Sequence, residues 1–189
     1  MKRLLPLVLA VLLLTGCAGF QNQQQFNATY LDVFDTVTTI MGRVENQETF
    51  SSQAKEIHDK LLEYHRLFDI YHDYEGLVNL KTVNEQAGIA PLTVDDRIIQ
   101  LLLECKSIAE FTDGKVNVAM GSVLKLWHQA RTDSLNDPEN AYLPDQAALE
   151  EAAKHMDFNC VVIDEANSTV FFTDPLCHIF LGLKFIHHP

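Results

Sequence analysis

The sequence predicts an α+β domain, a mixed sheet with flanking helices, and three observations carry that expectation. Tyr30 to Val44 (YLDVFDTVTTIMGRV) is dense in β-branched and aromatic residues, as strands are. Ser51 to Ile70 and Thr93 to Phe111 repeat apolar residues at steps of three and four, the spacing of a one-sided helix. Cys160 to Asp164 and Thr169 to Thr173 flank Glu165-Ala166-Asn167-Ser168, as two strands flank a hairpin turn. Strands and helices mixed in this way imply an α+β or α/β domain.

The chain opens with Met1-Lys2-Arg3, an uncharged run from Leu4 to Leu14, and then Leu14-Thr15-Gly16-Cys17. A basic start, a short apolar stretch and small residues are the parts of a secretory signal. The run is too short for the ~20 apolar residues that a spanning helix needs. Leu-Thr-Gly-Cys resembles the bacterial lipobox, in which the cysteine is acylated. Residues 1–16 are therefore expected to be a lipoprotein signal peptide and Cys17 a lipidation site. Residues 17–28, with Gln21 to Gln25, form a flexible tether, and residues 29–189 form the domain. The expected location is the extracytoplasmic face of a cell membrane, held by the lipid.

Along the domain, Tyr30 to Val44 reads as one strand. Ser51 to Ile70 is a helix with Ile57, Leu61, Tyr64 and Phe68 on one face and Ser51-Ser52 as its start. Residues 71–92 mix Gly, Asn, Asp and Pro and read as a long loop, a frequent carrier of function. The next helix starts at Thr93 with Asp96 three residues on, and buries Ile98, Leu101, Leu102, Cys105, Ile108 and Ala109. Thr112-Asp113-Gly114 ends it, with Gly114 suited to a left-handed cap. Lys115 to Arg131 leads into a helix whose Val123, Leu126 and Trp127 read as core. Pro138 to Pro144 is linker-like, and Asp145 to His155 is a short helix. Leu176 onward begins like a buried strand and stops at His187-His188-Pro189, a histidine pair that is more often incidental than metal-binding.

Charge and cysteines narrow the function classes. The chain carries 14 basic and 26 acidic residues, a net charge of −12, which becomes −14 once Lys2 and Arg3 leave with the signal. Such a surface repels nucleic acid and anionic head groups, so no nucleic-acid partner is expected. Cys105, Cys160 and Cys177 are an odd set without close spacing. Neither a zinc site nor a disulfide framework follows from them, and buried thiols are the expectation.

One long segment resembles a known family. Thr112-Asp113-Gly114-Lys115-Val116-Asn117-Val118-Ala119-Met120-Gly121-Ser122-Val123-Leu124-Lys125-Leu126-Trp127-His128 is similar to the signature TDGAFDxTVGPLVNLWGFG of the ApbE flavin transferases. Phe34-Asp35-Thr36 resembles the family's early strand. Tyr71, Asp73-Tyr74-Glu75 and Asn84 before Ala87-Gly88 resemble its STYxxDSExxxxN loop, and Leu176 to Gly182 resembles the start of DLGxIAKG. The resemblance covers roughly residues 29–182, the N-terminal half of a family member.

That resemblance implies an ApbE-like fold, related to T-folds, and a transferase that moves FMN from FAD onto a threonine of a target protein. It implies FAD as substrate, Mg2+ as cofactor, and an exported acceptor flavoprotein, such as a subunit of a membrane electron-transfer complex, as partner. A hydroxyl attacking the FMN phosphorus builds charge on the pyrophosphate oxygens, which a divalent cation neutralises. The implied flavin-binding residues are Tyr71, Lys115, Val116, Asn117 and Phe34. Tyr71 stacks on the ring system, and the backbone at Lys115 to Asn117 holds adenine or ribose beside Gly114, where no Cβ intervenes. Without the resemblance Tyr71 reads as a core aromatic and Lys115 as a solvated lysine.

The chain departs from the family near its end. Phe180 stands in place of the aspartate of DLGxIAKG, and the chain stops seven residues after Gly182. The family's metal ligands lie beyond, so a frame shift or truncated gene, a fold incomplete at the C-terminus and a product inactive alone are expected. No catalytic residue is assigned. The alternatives are a flavin-binding remnant without chemistry and an exported partner-binding lipoprotein.

Overall fold

Residues 23–181 are described by the computed structural model, so the expected signal peptide, the lipidation site Cys17 and the His187-His188 pair lie outside the described residues. The chain divides into two units, one up to Leu62 and one from Glu63.

In the first unit, β1 (Gln24–Val33) and β2 (Thr36–Val44) pair antiparallel, with Tyr30 opposite Thr38. The run expected as one strand is thus folded in two at Phe34 and Asp35, whose φ angles are 57° and 50°. Two successive left-handed residues give a turn whose twist matches that of the strands. Neither residue is glycine, which is why the run reads as continuous in sequence. β1 also begins at Gln24, inside the expected tether. One face of the hairpin is half-buried through Phe26, Ala28, Tyr30 and Ile40, and Phe26 stacks on Phe50 with ring centres 5.7 Å apart. The opposite face leaves Leu31, Val37 and Met41 exposed.

Helix α1 (Gln47–Phe68) starts four residues before Ser51. Asn46, not Ser51, caps it: its side-chain oxygen accepts the Thr49 N–H at 2.9 Å. Within the first unit His58 stacks on Tyr30, ring centres 4.0 Å apart, and its Nε2 lies 2.9 Å from the Asp32 carboxylate.

The second unit holds a continuous core built on Leu67, Leu80, Ile98, Leu102, Val170, Phe172 and Ile179. The long loop after α1 contains a short helix, α2 (Leu80–Glu85), which the sequence does not announce because its cap is reciprocal. Asn79 accepts the Thr82 N–H, and the Thr82 hydroxyl accepts from the Asn79 N–H. Strand β3 (Leu92–Thr93) takes up Thr93, so helix α3 (Asp96–Phe111) is capped by Asp95 instead. The α3 face buries Ile98, Ile99, Leu102 and Ala109, while Ile108 is exposed. Strands β4 (Val161–Asp164) and β5 (Thr169–Phe172) form the expected hairpin, and β3 pairs with the other edge of β5. The strands of the described residues thus fall into two small antiparallel sheets, giving an α+β architecture.

The end of α3 closes as a Schellman motif. The Gly114 N–H donates to the Ala109 carbonyl at 2.8 Å and the Asp113 N–H to the Glu110 carbonyl at 3.2 Å. Asp113 as well as Gly114 takes positive φ there. Helices α4 (Gly121–Asn136) and α5 (Gln146–Ala153) follow, α5 capped by Asp145. Trp127 is 44% exposed, so it is no core residue. Cys160 and Cys177 form a disulfide, which corrects the expectation of thiols; among the described residues Cys105 alone is free, and it is half-buried. The Thr173 N–H bonds the Cys160 carbonyl across the β4–β5 hairpin, and this bond brings Cys177 near.

Candidate functional site

Among the described residues, two clefts of the second unit take up Tyr71 and Asn117, one each. The first, about 290 Å³, is lined by Tyr71, Lys81, Asn84, Lys125, His128 and the extended segment His178 to Phe180. The second, about 410 Å³, is lined by Lys106, Glu110, Asp113, Gly114, Asn117 and residues 156–159. Tyr71 and the Asp113–Asn117 turn, expected to share one pocket, therefore line different clefts. Lys115 and Val116 line neither and are exposed, and Phe34 belongs to the first unit.

Tyr71 is placed by the loop that leaves α1. The Asp69 side chain accepts the Tyr71 N–H at 2.7 Å and the His72 N–H at 3.3 Å through one oxygen. Its other oxygen takes the His72 ring nitrogen and the Tyr74 hydroxyl, both at 2.8 Å. The carboxylate is only 5% exposed. Burial alone raises its pKa, but the bonds from Tyr71, His72 and Tyr74 outweigh that and hold it below the ordinary value. Buried Asn79 ties the far side of the loop, donating to the His72 carbonyl at 2.8 Å. Across the cleft the His128 ring faces Tyr71, centres 6.0 Å apart and planes tilted by 34°.

The opposite wall is set by glycine. A Cβ on Gly121 would stand 2.6 Å from the His178 carbonyl oxygen, so only glycine lets α4 begin against the segment 177–180. The Gly121 N–H donates to that oxygen at 3.0 Å, and the Phe180 N–H to the Val118 carbonyl at 2.7 Å. Asn84 completes the wall: its side-chain oxygen accepts the Ile179 N–H at 2.8 Å and its NH2 donates to the Ile179 carbonyl at 3.0 Å. From Gly121, steps of four and three bring Lys125 and His128 onto one face of α4. That spacing was readable in the sequence, where attention to the apolar positions of this helix concealed it.

The two clefts differ in charge balance, Glu85 lining the first beside Lys81 and Lys125. Lys81 in the first cleft is engaged by Asp73 and Glu85, each at 2.7 Å, and these bonds raise its pKa. Lys125 has no acidic partner among the described residues. With His128 and His178 beside it, the cleft offers cationic and aromatic groups together. The second cleft sets Glu110, Asp113 and Asp157 against Lys106 alone. An anion meets less opposition in the first, at Lys125, than in the second.

The turn residues expected to hold ligand spend their groups internally. The Lys115 N–H donates to the Thr112 carbonyl at 3.2 Å and the Val116 N–H to the Thr112 hydroxyl at 3.1 Å. Asn117 accepts the Ala119 N–H at 2.8 Å and donates to the Met156 carbonyl. The turn thus fixes where α4 starts and, through it, where Lys125 and His128 stand. Among the described residues no group of three or more His, Cys, Asp or Glu side chains is placed to hold a metal ion.

Comparison with known proteins adds to this geometry. The model of the ApbE family matches residues 28–183. An FAD:protein FMN transferase of Treponema pallidum (strain Nichols) is 37% identical over 82 residues, 43% of this chain and 21% of that protein. Another, of Klebsiella pneumoniae (strain 342), is 27% identical over 132 residues, 66% of this chain and 39% of that protein. A crystal structure of an ApbE protein from Thermotoga maritima matches with a TM-score of 0.67 at 21% identity. That match covers 82% of this chain and 47% of the solved one. The chain thus spans about half the length of the solved relative and less of the two transferases.

Proposed function

The chain belongs to the ApbE family, and on that premise we propose that its Tyr71 cleft holds the flavin nucleotide of an FAD:protein FMN transferase. The observation that carries this reading is that Tyr71, Lys125 and His128 line one cleft. An aromatic ring offers a stacking surface, worth about 0.5–1.5 kcal/mol beyond burial. A lysine four residues into α4 supplies the counter-charge for a phosphate. The cleft volume of about 290 Å³ lies at the lower end of the ~300–1,000 Å³ of small-molecule sites. It suits the ring system or one phosphoryl group better than a whole dinucleotide.

In this reading the reaction passes FMN from FAD to a threonine hydroxyl of an exported acceptor flavoprotein, with AMP as the leaving group. The chain's own residues bind and orient. Tyr71, with His128 packed against it, offers its ring to the flavin, and Lys125 steadies the phosphoryl oxygens. The Asp113–Asn117 turn acts through α4. The described residues hold no group of three or more His, Cys, Asp or Glu side chains for Mg2+. Export and lipid anchoring at Cys17 belong to the same proposal, and metabolic labelling with a fatty acid, lost in Cys17→Ser, tests them.

Titration with FAD, followed by flavin fluorescence, tests the cleft. Quenching that weakens roughly tenfold in Tyr71→Ala is the expected result, and quenching unchanged by that substitution rejects the cleft. Incubation with FAD, magnesium and a threonine-bearing acceptor domain tests the transfer, read as a covalent flavin mass on the acceptor.

A further inference from the structure

We propose that Asp69 is the positioning residue of the flavin cleft, a buried carboxylate that fixes Tyr71 in its stacking position by gathering the loop from residue 69 to residue 74 around itself. The inference rests on the reading of Tyr71 as the ring contact. It goes beyond that reading in assigning the affinity of the site to a residue that does not line it.

The geometry is specific. One oxygen of Asp69 receives the two successive backbone N–H groups of Tyr71 and His72, which fixes the peptide that carries the tyrosine ring. The second receives two side chains from further along the same loop, His72 and Tyr74. The Asp69 backbone carbonyl accepts the Lys81 N–H at 3.0 Å, joining the loop to the first turn of α2. One residue thereby joins the end of α1, the Tyr71 peptide and the α2 start. A buried carboxylate is costly unless hydrogen-bonded, and here both oxygens are engaged. With Asp69 removed, the Tyr71 and His72 amides and the Tyr74 hydroxyl lose a shared acceptor at once, and the ring opposite His128 loses its fixed direction.

A double-mutant cycle on the full chain tests this, with FAD quenching as readout. Asp69→Ala is expected to weaken FAD binding about tenfold in the wild-type background and to change it less than twofold in Tyr71→Ala. A residue that merely stabilises the fold weakens binding by the same factor in both backgrounds, and that additive result overturns the proposal. Asp69→Asn retains an acceptor for the two amides, is expected to recover most of the affinity, and serves where the alanine variant fails to fold. Should the wild-type chain leave FAD fluorescence unchanged, the cleft reading fails. Amide hydrogen exchange at Tyr71 and His72 then decides the role of Asp69: exchange more than tenfold faster in Asp69→Ala and close to wild type in Asp69→Asn upholds its hold on the loop, and exchange unchanged in Asp69→Ala overturns it.

Discussion

The two clefts of the second unit are built from neighbouring stretches of chain and have opposite characters. The Tyr71 cleft pairs aromatic rings with a lysine that has no acidic partner among the described residues. The turn cleft sets three carboxylates against one lysine. The segment that most resembles the family signature, Thr112 to His128, borders both: its turn, Asp113 to Asn117, lies along the second, and its helical part, with Gly121, Lys125 and His128, lies along the first. The hydrogen bonds of the turn fix where α4 starts.

The largest effect is expected at the point where the two regions meet. Gly121→Val places side-chain atoms where the His178 carbonyl stands, 2.6 Å from the nearest possible Cβ. Overpacking of that kind costs about 1–3 kcal/mol, and FAD quenching should be lost together with a lower melting temperature. Full quenching in this variant would separate α4 from the cleft.

Next in size is charge reversal. Lys125→Glu replaces attraction by repulsion at an exposed position, where solvent screening limits each term to about 1 kcal/mol. A rise in Kd of about tenfold is expected, shrinking as salt is added. Lys106→Glu in the second cleft should leave Kd within twofold. Equal effects of the two would erase the distinction drawn here. Asn117→Ala comes third. It removes the contacts to Ala119 and Met156, with a stability loss of about 1–3 kcal/mol, and FAD affinity falls only as far as α4 shifts. Urea unfolding alongside titration measures both.

The smallest effect calibrates the rest. Asp95 caps α3 away from both clefts, and hydrogen bonds from the Arg97 guanidinium lower its pKa to about 2. Asp95→Ala should cost about 1 kcal/mol near neutral pH with FAD affinity unchanged. A depressed carboxylate stabilises above its unfolded pKa, 3.8, and loses that contribution as pH falls toward 2. The gap in urea midpoint between wild type and variant should therefore close across that window.

Much of the fold was legible because local chemistry repeated itself. The β4–β5 hairpin announced its turn, where Asp164 accepts both the backbone and the side-chain N–H of Asn167. The helix break at Gly114 was equally plain. The β1–β2 turn was not, since Phe34 and Asp35 adopt left-handed angles without glycine. Caps misled where two candidates stood close together, as with Asn46 before Ser51 and Asp95 after Thr93. In the candidate site, Tyr71 was marked only by the resemblance of its loop to the family's, and Lys125 and His128 needed the period counted from Gly121. Asp69 carried no signal, because its value lies in bonds to amides that only the folded loop presents. The Cys160–Cys177 disulfide likewise depends on a crossing made by the hairpin, and spacing alone does not encode it.

The Asn84 grip on Ile179 joins residues 95 apart in sequence, whereas Asp69 and Tyr71 are two apart. Closing a long chain segment carries an entropy that grows with the logarithm of its length, so the two walls of the cleft assemble at different moments. The tyrosine loop can organise as soon as α1 forms, while the facing wall waits for the rest of the unit. During refolding, helical signal should return before ligand quenching does, and simultaneous recovery would contradict that order. Newly made chains accordingly pass through an interval in which the aromatic platform is ready and nothing yet closes over it.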